Sequence, residues 1–471
     1  MRSSLARLLS ISICVGSTIF LMWACILLLP NNFFVVDQPF GGYYSKQARS
    51  FLSGRTDVDP HPPSKLLQIE NPYDYKVHTA ISSEAKIDIW DHSFYRGKFY
   101  LYFGVAPALL LYTPYRAVTG TDLRDGVALC FLLTMVLFGF WRILARLTTL
   151  SEVSIPSWVR CVSLIVLTTS SIWPVLLSRA RTYEIPLASA IAFSVWGIWF
   201  LLSAFGYKGL KVSCLALASL CFGLAVASRP HYLISSGLAL LWIIITLRKD
   251  WMRRLTILFA LTLPILIVTV GLGVYNYVRF DDFLEFGARY QLGTTDLRHI
   301  PFFKTSRFLS GLYIVLLHPL LTTHTFPFLL PERPLPSWAQ QDRIFIEHPF
   351  GYLFIAPWLF IAIFFFLRTL TTENWPRKEV RQVCLVYCIF AIIGLSNLFM
   401  SSIWIAAIDR YTAEFAFYFS ALGLIVLIRA GATHKRLTRN IIFGIIAFFA
   451  VYGCVTAHVL TYQWITDRRN F

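Results

Sequence analysis

The sequence predicts an all-α polytopic membrane protein, with about eleven transmembrane helices and two large loops on the outer, periplasmic side. Of its 471 residues, 56% are hydrophobic and only 14% are charged, and the mean hydropathy is +0.61. A soluble domain is about 25% charged, so an apolar surface of this size requires lipid as its solvent. We therefore predict one transmembrane unit over 1–471, with a first outer loop at 31–124 and a second, lid-like outer loop at 276–349.

Apolar runs long enough to cross a bilayer define the predicted helices. They lie near 8–30, 125–147, 158–178, 184–205, 210–228, 231–247, 254–275, 350–368, 382–400, 409–428 and 440–460. No small-residue cleavage pattern follows the first run, so we interpret it as a retained helix. The run Phe99–Val118 is interrupted by Pro107 and Pro114. Because it is also rich in tyrosine, we expect a helix at the outer interface there.

The basic residues predict the sidedness of these helices. They fall on every second short connection, as at Arg146, Lys211, Arg254 and Arg429. The positive-inside rule then places the N-terminus in the cytoplasm and both large loops outside, as expected for a bacterial inner-membrane protein. The same rule, together with contact to anionic lipid headgroups, accounts for the net charge of +17. No motif indicates a nucleic-acid partner, and all nine cysteines lie in apolar runs, so no disulfide framework is predicted.

Asp37 is the first candidate functional residue. It comes a few residues after the first apolar run and precedes the segment 42–54. That segment has helical periodicity, with Tyr44, Phe51 and Leu52 on one face. An ionisable carboxylate at a membrane face is costly, so Asp37 could serve as a base at the edge of a cavity that the short helix caps. The alternative is a surface helix whose basic residues merely reach the interface.

Three potential metal ligands follow within the first outer loop. Asp88, Asp91 and His92 could supply a second carboxylate or bind a divalent metal such as Mg or Mn. An ordinary polar loop is the alternative, because such clusters are common in loops.

A basic turn flanked by tyrosines comes next. Aromatic faces suit sugar rings, and cations suit phosphate. We therefore expect this segment to contact a sugar phosphate through Tyr95, Arg96, Lys98, Tyr100 and Tyr102.

Further charges lie at the outer ends of the predicted helices. They are Arg179, Arg181 and Glu184, then Arg229 and His231, then Asp409, Arg410 and Glu414. For any single one of them, the alternative explanation is that its long side chain extends its charge to the membrane–water interface. Several on the side of Asp37 favour a shared anionic ligand, and arginine can hold a phosphate through two donors. The second outer loop opens with the segment 275–292, including Arg289, and could form a lid over this ligand.

Three segments of the chain resemble the GT-C class of membrane glycosyltransferases. The first is Asp37 with the Tyr-Tyr-x-x-x-Ala-Arg-type helix of Tyr43–Arg55, the second is Tyr95–Leu111, and the third is Asn276–Gln291. The chain is similar to the bacterial branch related to protein O-mannosyltransferases and to the lipid A aminoarabinose transferase. In one respect it departs: Gln38 stands where members often have a second acidic residue.

The resemblance implies a polyprenyl-phosphate sugar donor that enters from the bilayer, with Asp37 as the catalytic base. We therefore expect an inverting transfer to an acceptor hydroxyl on the outer face; the acceptor could be a lipid, a glycan or a protein. The donor phosphate would contact Arg229, Arg410 and Lys98. The expected substrate contacts are Tyr44, Tyr95, Arg96, Tyr100, Tyr102, His231 and Arg289. Gln38 leaves open whether a metal takes part.

Two other functions are compatible with the pattern. A transporter or lipid flippase would share the helices and the charges, but it predicts an internal repeat and charges at mid-depth. The sequence has no evident repeat, and its charges cluster towards one face. An envelope assembly factor with a degenerate site is the second alternative, and only an activity assay separates it from an enzyme.

Overall fold

The structure is a computed structural model that describes residues 42–150, 155–206, 209–246, 251–324, 329–330, 334–340, 342–347, 349–372 and 378–467. The predicted first helix at 8–30 and the candidate base Asp37 therefore lie outside the described residues.

Helices dominate the described chain, as the sequence predicts. Six of them are long and apolar enough to cross a membrane within the described ranges: Asp125–Leu150, Glu184–Ala204, Trp251–Phe280, Lys378–Ile403, Thr412–Thr433 and Arg436–Asp467. Shorter helices complete the bundle at Ser157–Ser170, Trp173–Arg179, Val212–Ser228, Tyr232–Thr246, Tyr352–Ile355 and Leu359–Thr372. Every predicted span that falls in the described chain coincides with one or two of these helices, so the polytopic all-α class is confirmed.

Two predicted spans are broken by local backbone features. The span 158–178 divides where Ile172 adopts a left-handed conformation with φ 54°, just before Pro174. The span 350–368 divides at Ala356, whose φ of −123° and ψ of 56° lie outside the helical region, which the following Pro357 disfavours. Both breaks shorten a helix without removing it from the bundle.

Short helices and strands occupy the connections between the long helices. The helices are Tyr43–Leu52, Ser64–Leu67, Tyr75–Ala85, Val105–Pro107, Thr113–Thr119, Phe308–Leu312 and Ser337–Gln340, with π-helical turns at Ala108–Tyr112 and Tyr313–Leu317. The 3₁₀ turns are Ala288–Tyr290, Thr305–Arg307 and Asp409–Tyr411. Antiparallel pairs join Ser93–Tyr95 to Lys98–Tyr100, Phe205–Gly206 to Gly209–Leu210, and Leu321–Thr322 to Leu329–Leu330, while Phe345–Glu347 pairs in parallel with Ala406–Ile408.

Two details of the outer segments differ from the sequence prediction. The helix expected over Phe99–Val118 begins only at Val105, because Lys98–Tyr100 is used as a hairpin strand. The Tyr43–Leu52 helix has the predicted position, but Leu52 is 50% exposed although its spacing placed it on the apolar face. The buried face instead carries Tyr43, Tyr44 and small polar residues that bond to neighbouring loops.

Helix ends with functional charges meet at one end of the bundle. Hydrogen bonds and ion pairs there join the starts of three helices, Asp125–Leu150, Glu184–Ala204 and Thr412–Thr433, to loops and to the end of Val212–Ser228. Arg146, predicted to be cytoplasmic, lies at the opposite end, where its guanidinium donates to the carbonyl oxygen of Phe205 at 2.7 Å. The candidate charges and Arg146 therefore lie at opposite ends of the bundle, which agrees with the predicted sidedness. Which of the two ends faces the cytoplasm stays a prediction.

The first and second outer loops are joined by backbone pairing. The Asp91 amide donates to the carbonyl oxygen of Leu292 at 3.0 Å, and the Leu292 amide donates to that of His92 at 2.9 Å. His78 adds a side-chain contact of 3.1 Å to the Gly293 carbonyl oxygen. The two loops therefore form one layer over this end of the bundle.

Candidate functional site

Pro230 explains why Arg229 reaches the end of the bundle. A residue before proline is pushed out of the helical region, and Arg229 has φ −142° and ψ 104°. The Val212–Ser228 helix therefore stops at Ser228, and the next helix begins at Tyr232. The tight turn between these helices places the Arg229 and His231 side chains together.

Glu414 binds both of these side chains. Its Oε1 forms an ion pair with Arg229 Nη2, and its Oε2 lies 2.9 Å from His231 Nε2. The Glu414 side chain is only 3% exposed and belongs to the first turn of its helix, where the helix dipole favours negative charge. One buried carboxylate therefore binds the side chains of both Arg229 and His231.

Arg410 is held more loosely than Arg229. Its guanidinium nitrogens lie 3.8 Å from Glu184 Oε1 and 4.0 Å from Glu347 Oε2, distances beyond hydrogen bonding, while its side chain is only 12% exposed. The guanidinium carbon stacks 4.5 Å from the centroid of the Tyr183 ring. Among the residues that the structure describes, Arg410 donates no hydrogen bond, so its N–H groups remain available to a ligand.

Strand pairing brings Glu347 to this place. The parallel register sets Glu347 opposite Ile408, and the chain then turns through Asp409–Tyr411 to present Arg410. The second outer loop thus supplies one of the two carboxylates beside this arginine.

Tyr411 brings the two arginines into one site. The guanidinium carbon of Arg229 lies 5.5 Å from the centroid of the Tyr411 ring, and that of Arg410 lies 5.9 Å from it. Burial raises the pKa of Tyr102, and the charge of Arg410 acts in the opposite direction, so the end of the 95–102 segment lies near the same site. We call Arg229, His231, Arg410 and Glu414, with these two tyrosines, the arginine site.

Asp91 lies at the edge of the arginine site. It is 4% exposed, and the Gln291 side-chain amide donates to its Oδ1. Burial raises the pKa of Asp91 to about 7, with the Gln291 hydrogen bond and the charge of Arg410 acting in the opposite direction. This carboxyl therefore changes charge near neutral pH beside a permanent cation.

The metal-ligand candidates have separate protein partners. The Asp88 carboxylate accepts from the Trp90 amide at 3.0 Å, and His92 Nδ1 lies 2.9 Å from the Trp90 carbonyl oxygen. Burial lowers the pKa of His92 to about 3, so its ring is neutral. In the described ranges no three His, Cys, Asp or Glu side chains are close enough to hold a metal ion. Asp88, Asp91 and His92 therefore do not form a metal site among themselves.

The hairpin residues form a second group, away from the two arginines. The Tyr95 ring lies 4.7 Å from Tyr290, and the Tyr100 ring lies 5.3 Å from Phe280. Each cation of this group has its own carboxylate: Arg96 pairs with Asp281 at 2.7 Å, Lys98 with Asp57 at 3.9 Å, and Arg289 with Glu285 at 3.7 Å. All three cations are more than half exposed, so the group offers an open basic surface beside the partly exposed Tyr95, whereas Tyr100 is buried.

Tyr44 has a packing position. Its ring is fully buried 5.2 Å from Tyr112, and its hydroxyl donates to the Gly104 carbonyl oxygen at 3.0 Å. Gly104 in turn touches the end of the Val212–Ser228 helix, since a Cβ there would lie 1.9 Å from the Ser228 carbonyl oxygen. Tyr44 therefore supports the backbone next to Arg229.

Sequence reasoning missed several residues of this region. Tyr183 and Tyr411 adjoin the predicted Glu184 and Arg410, and a search for aromatic neighbours of the charges would have found them. Asp125 opens an apolar run, which is the same signal that singled out Asp37. Glu347 carried no signal, because its place depends on a pairing between distant strands.

The helices, the loops and the charged end together define a polytopic all-α membrane protein. The similarity of its fold to a solved structure agrees with the resemblance to the GT-C class. The chain is similar to ArnT from Cupriavidus metallidurans, whose crystal structure was determined bound to undecaprenyl phosphate. The two share 12% sequence identity, with a TM-score of 0.51 over 96% of this chain and 78% of the ArnT chain. No protein-family model and no curated protein sequence matches this chain.

Proposed function

We propose that the protein transfers a sugar from a polyprenyl-phosphate donor to an acceptor hydroxyl on the outer face of the membrane. The observation that carries the proposal is the arginine site, where two shielded guanidinium groups lie within 6 Å of one tyrosine ring. The similarity in fold to ArnT, a protein seen with undecaprenyl phosphate, supports a lipid-linked phosphate as the ligand.

The two arginines would have different tasks. Arg229 is held by Glu414 and would supply a fixed positive charge. Arg410 has unused donors and would hydrogen-bond the phosphate directly, with Tyr102 beside it. As the bond between the anomeric carbon and the phosphate oxygen breaks, negative charge develops on the leaving phosphate, and fixed cations stabilise it.

The acceptor would be activated by Asp37. Its carboxylate would take the proton of the acceptor hydroxyl as the oxygen attacks the anomeric carbon from the face opposite the phosphate, which inverts the configuration. The position of Asp37 after the first apolar run and the resemblance to the GT-C class support this role.

The exposed hairpin group suits the sugar or the acceptor. Tyr95 presents a partly exposed aromatic ring, and Arg96, Lys98 and Arg289 present cations that solvent can reach. Tyr100 is buried and would support this surface from below. In this proposal Lys98 would approach the donor from the hairpin side. No described feature specifically favours a transporter.

Two measurements test the proposal. Envelope glycolipids and glycoproteins from cells with and without the protein are compared by mass spectrometry, and loss of one sugar modification is expected. In cells that lack the protein, expression of Asp37→Asn should yield folded protein but should not restore the sugar modification. Identical glycan profiles in the two strains would refute the transferase function, and full restoration by Asp37→Asn would refute the assignment of the base alone.

A further inference from the structure

Asp125 is a buried carboxyl that the proposed mechanism does not use. It is 8% exposed at the start of the Asp125–Leu150 helix. Its Oδ2 accepts from the Gly42 amide at 3.0 Å and from the Thr182 hydroxyl at 2.9 Å, and its Oδ1 accepts from the Tyr112 hydroxyl at 2.6 Å. These three donors come from three separate segments of the outer layer.

The two residues that donate to Asp125 Oδ2 are both close in the sequence to proposed functional residues. Gly42 follows Asp37 by five positions in the sequence and adjoins the Tyr43–Leu52 helix, for which it is the N-cap with φ 76°. Thr182 precedes Tyr183 and Glu184, which contact Arg410. A single carboxylate oxygen therefore links the start of the Tyr43–Leu52 helix to the loop beside the proposed phosphate ligand.

Stability alone is a weak explanation for this arrangement. Burying a carboxylate costs several kcal/mol unless its hydrogen bonds are well satisfied, and about the same stability is available from apolar residues of similar volume. In the described chain no Lys, Arg or His forms an ion pair with Asp125. An acid at a helix N-terminus gains about 0.3–1 kcal/mol from the helix dipole, but an exposed aspartate would gain that as well.

We infer that Asp125 is a positioning residue, which fixes the segment after Asp37 relative to the Tyr183–Glu184 side of the arginine site. The inference rests on the proposed function, because it assigns Asp125 the task of setting the distance between base and phosphate. Such a residue acts on the chemical step and leaves donor binding intact, and a displacement of about 1 Å in a catalytic group can cost about 100-fold in rate.

The chain offers a matched set of variants. Asp125→Ala removes all three hydrogen bonds, whereas Tyr112→Phe removes only the one on the other oxygen. Asp125→Asn can keep the bonds to Gly42 and Thr182 through its amide oxygen, while its NH₂ group donates to the Tyr112 hydroxyl, which can also accept. Asp125→Asn is therefore the conservative rescue.

Steady-state transfer with purified protein in nanodiscs is the first measurement. We expect Asp125→Ala to lower kcat about 100-fold with the donor KM unchanged within about twofold. Asp125→Asn should recover most of the wild-type kcat, because its amide oxygen can accept from Gly42 and Thr182 as Oδ2 does. The kcat of Tyr112→Phe should stay within about twofold of the wild-type value, because this variant keeps both bonds to Oδ2. Wild-type kcat in Asp125→Ala, or an equal loss in Tyr112→Phe, would overturn the inference and leave the proposed function standing.

Hydrogen–deuterium exchange of the 42–52 segment provides a readout that needs no activity. Asp125→Ala should raise its exchange, and Tyr112→Phe should not. This comparison also tests the inference if the wild type transfers no sugar. Unchanged protection of 42–52 in Asp125→Ala would then show that Asp125 does not position this segment. If Asp125→Ala does not fold, Thr182→Val takes its place. We expect this variant to have a lowered kcat and to retain the protection of 42–52. A wild-type kcat in Thr182→Val would contradict the inference.

Discussion

Replacement of Arg410 by lysine separates charge from geometry in the arginine site. Lysine keeps the positive charge opposite Glu184 and Glu347, so the fold should tolerate it. It loses the planar fork that can grip two phosphate oxygens. Because Arg410 donates no hydrogen bond to the described residues, its free donors are the ones that a phosphate would use. Loss of one hydrogen bond to a charged group costs about 1.5–3 kcal/mol, which corresponds to about 10- to 150-fold in affinity.

Binding of a polyprenyl phosphate to the purified protein in detergent measures this effect without knowledge of the sugar. We expect the dissociation constant of Arg410→Lys to rise by that factor, while binding of the uncharged polyprenol of the same length stays unchanged. Arg298→Lys is the control. Arg298 stacks on a tyrosine, at 4.1 Å, as Arg410 does, but it pairs directly with a carboxylate, at 2.7 Å, and lies outside the arginine site. Equal affinity of Arg410→Lys and the wild type for the phosphate would refute the role of Arg410.

Two further predictions concern Asp91 and Gly104. Burial raises the pKa of Asp91 in the folded protein to about 7, so the unfolded chain releases this proton at a lower pH than the folded protein does. The free energy of unfolding should therefore fall as the pH rises from about 4 to about 7. Asp91→Asn should flatten this part of the dependence, checked by melting temperatures at about pH 5 and about pH 8; an unchanged slope would contradict the buried position. Gly104→Ala should reduce the yield of folded protein in size-exclusion chromatography, because its Cβ would lie 1.9 Å from the Ser228 carbonyl oxygen. Gly237→Ala, with open space around the new Cβ, should be tolerated, and equal yields of the two variants would contradict the close approach.

Helix positions were the easiest part to predict from sequence, because each depends on a local run of apolar residues. The errors arose where one residue changed the backbone, as at Ile172 and at Pro357. The helical turns at Phe308–Leu312 and Tyr313–Leu317 were missed, since this stretch is shorter than a bilayer-spanning run. Helix ends were also imprecise: Trp251–Phe280 continues into the segment assigned to the second outer loop.

The candidate site was predictable only as a set of separate charges. Arg229, Arg410 and Glu414 each stand out as ionisable groups at the end of an apolar run. Their pairing was not predictable, because Arg229 and Glu414 are 185 positions apart and meet through helix packing. For the same reason the basic hairpin could not be separated from the arginine site: Tyr102 faces Arg410, whereas Tyr100, two positions earlier, packs on Phe280.

The backbone pairing between Asp91, His92 and Leu292 has a consequence for biogenesis. The side chains of Asp91 and Gln291, which flank this pairing, are 200 positions apart in the chain. With the predicted sidedness, the first loop would be exported long before its partner is synthesised, and several helices would be inserted before the pairing can close. The layer formed by the two loops would then be completed only after insertion of the Trp251–Phe280 helix, so its assembly would report on correct insertion of the preceding helices.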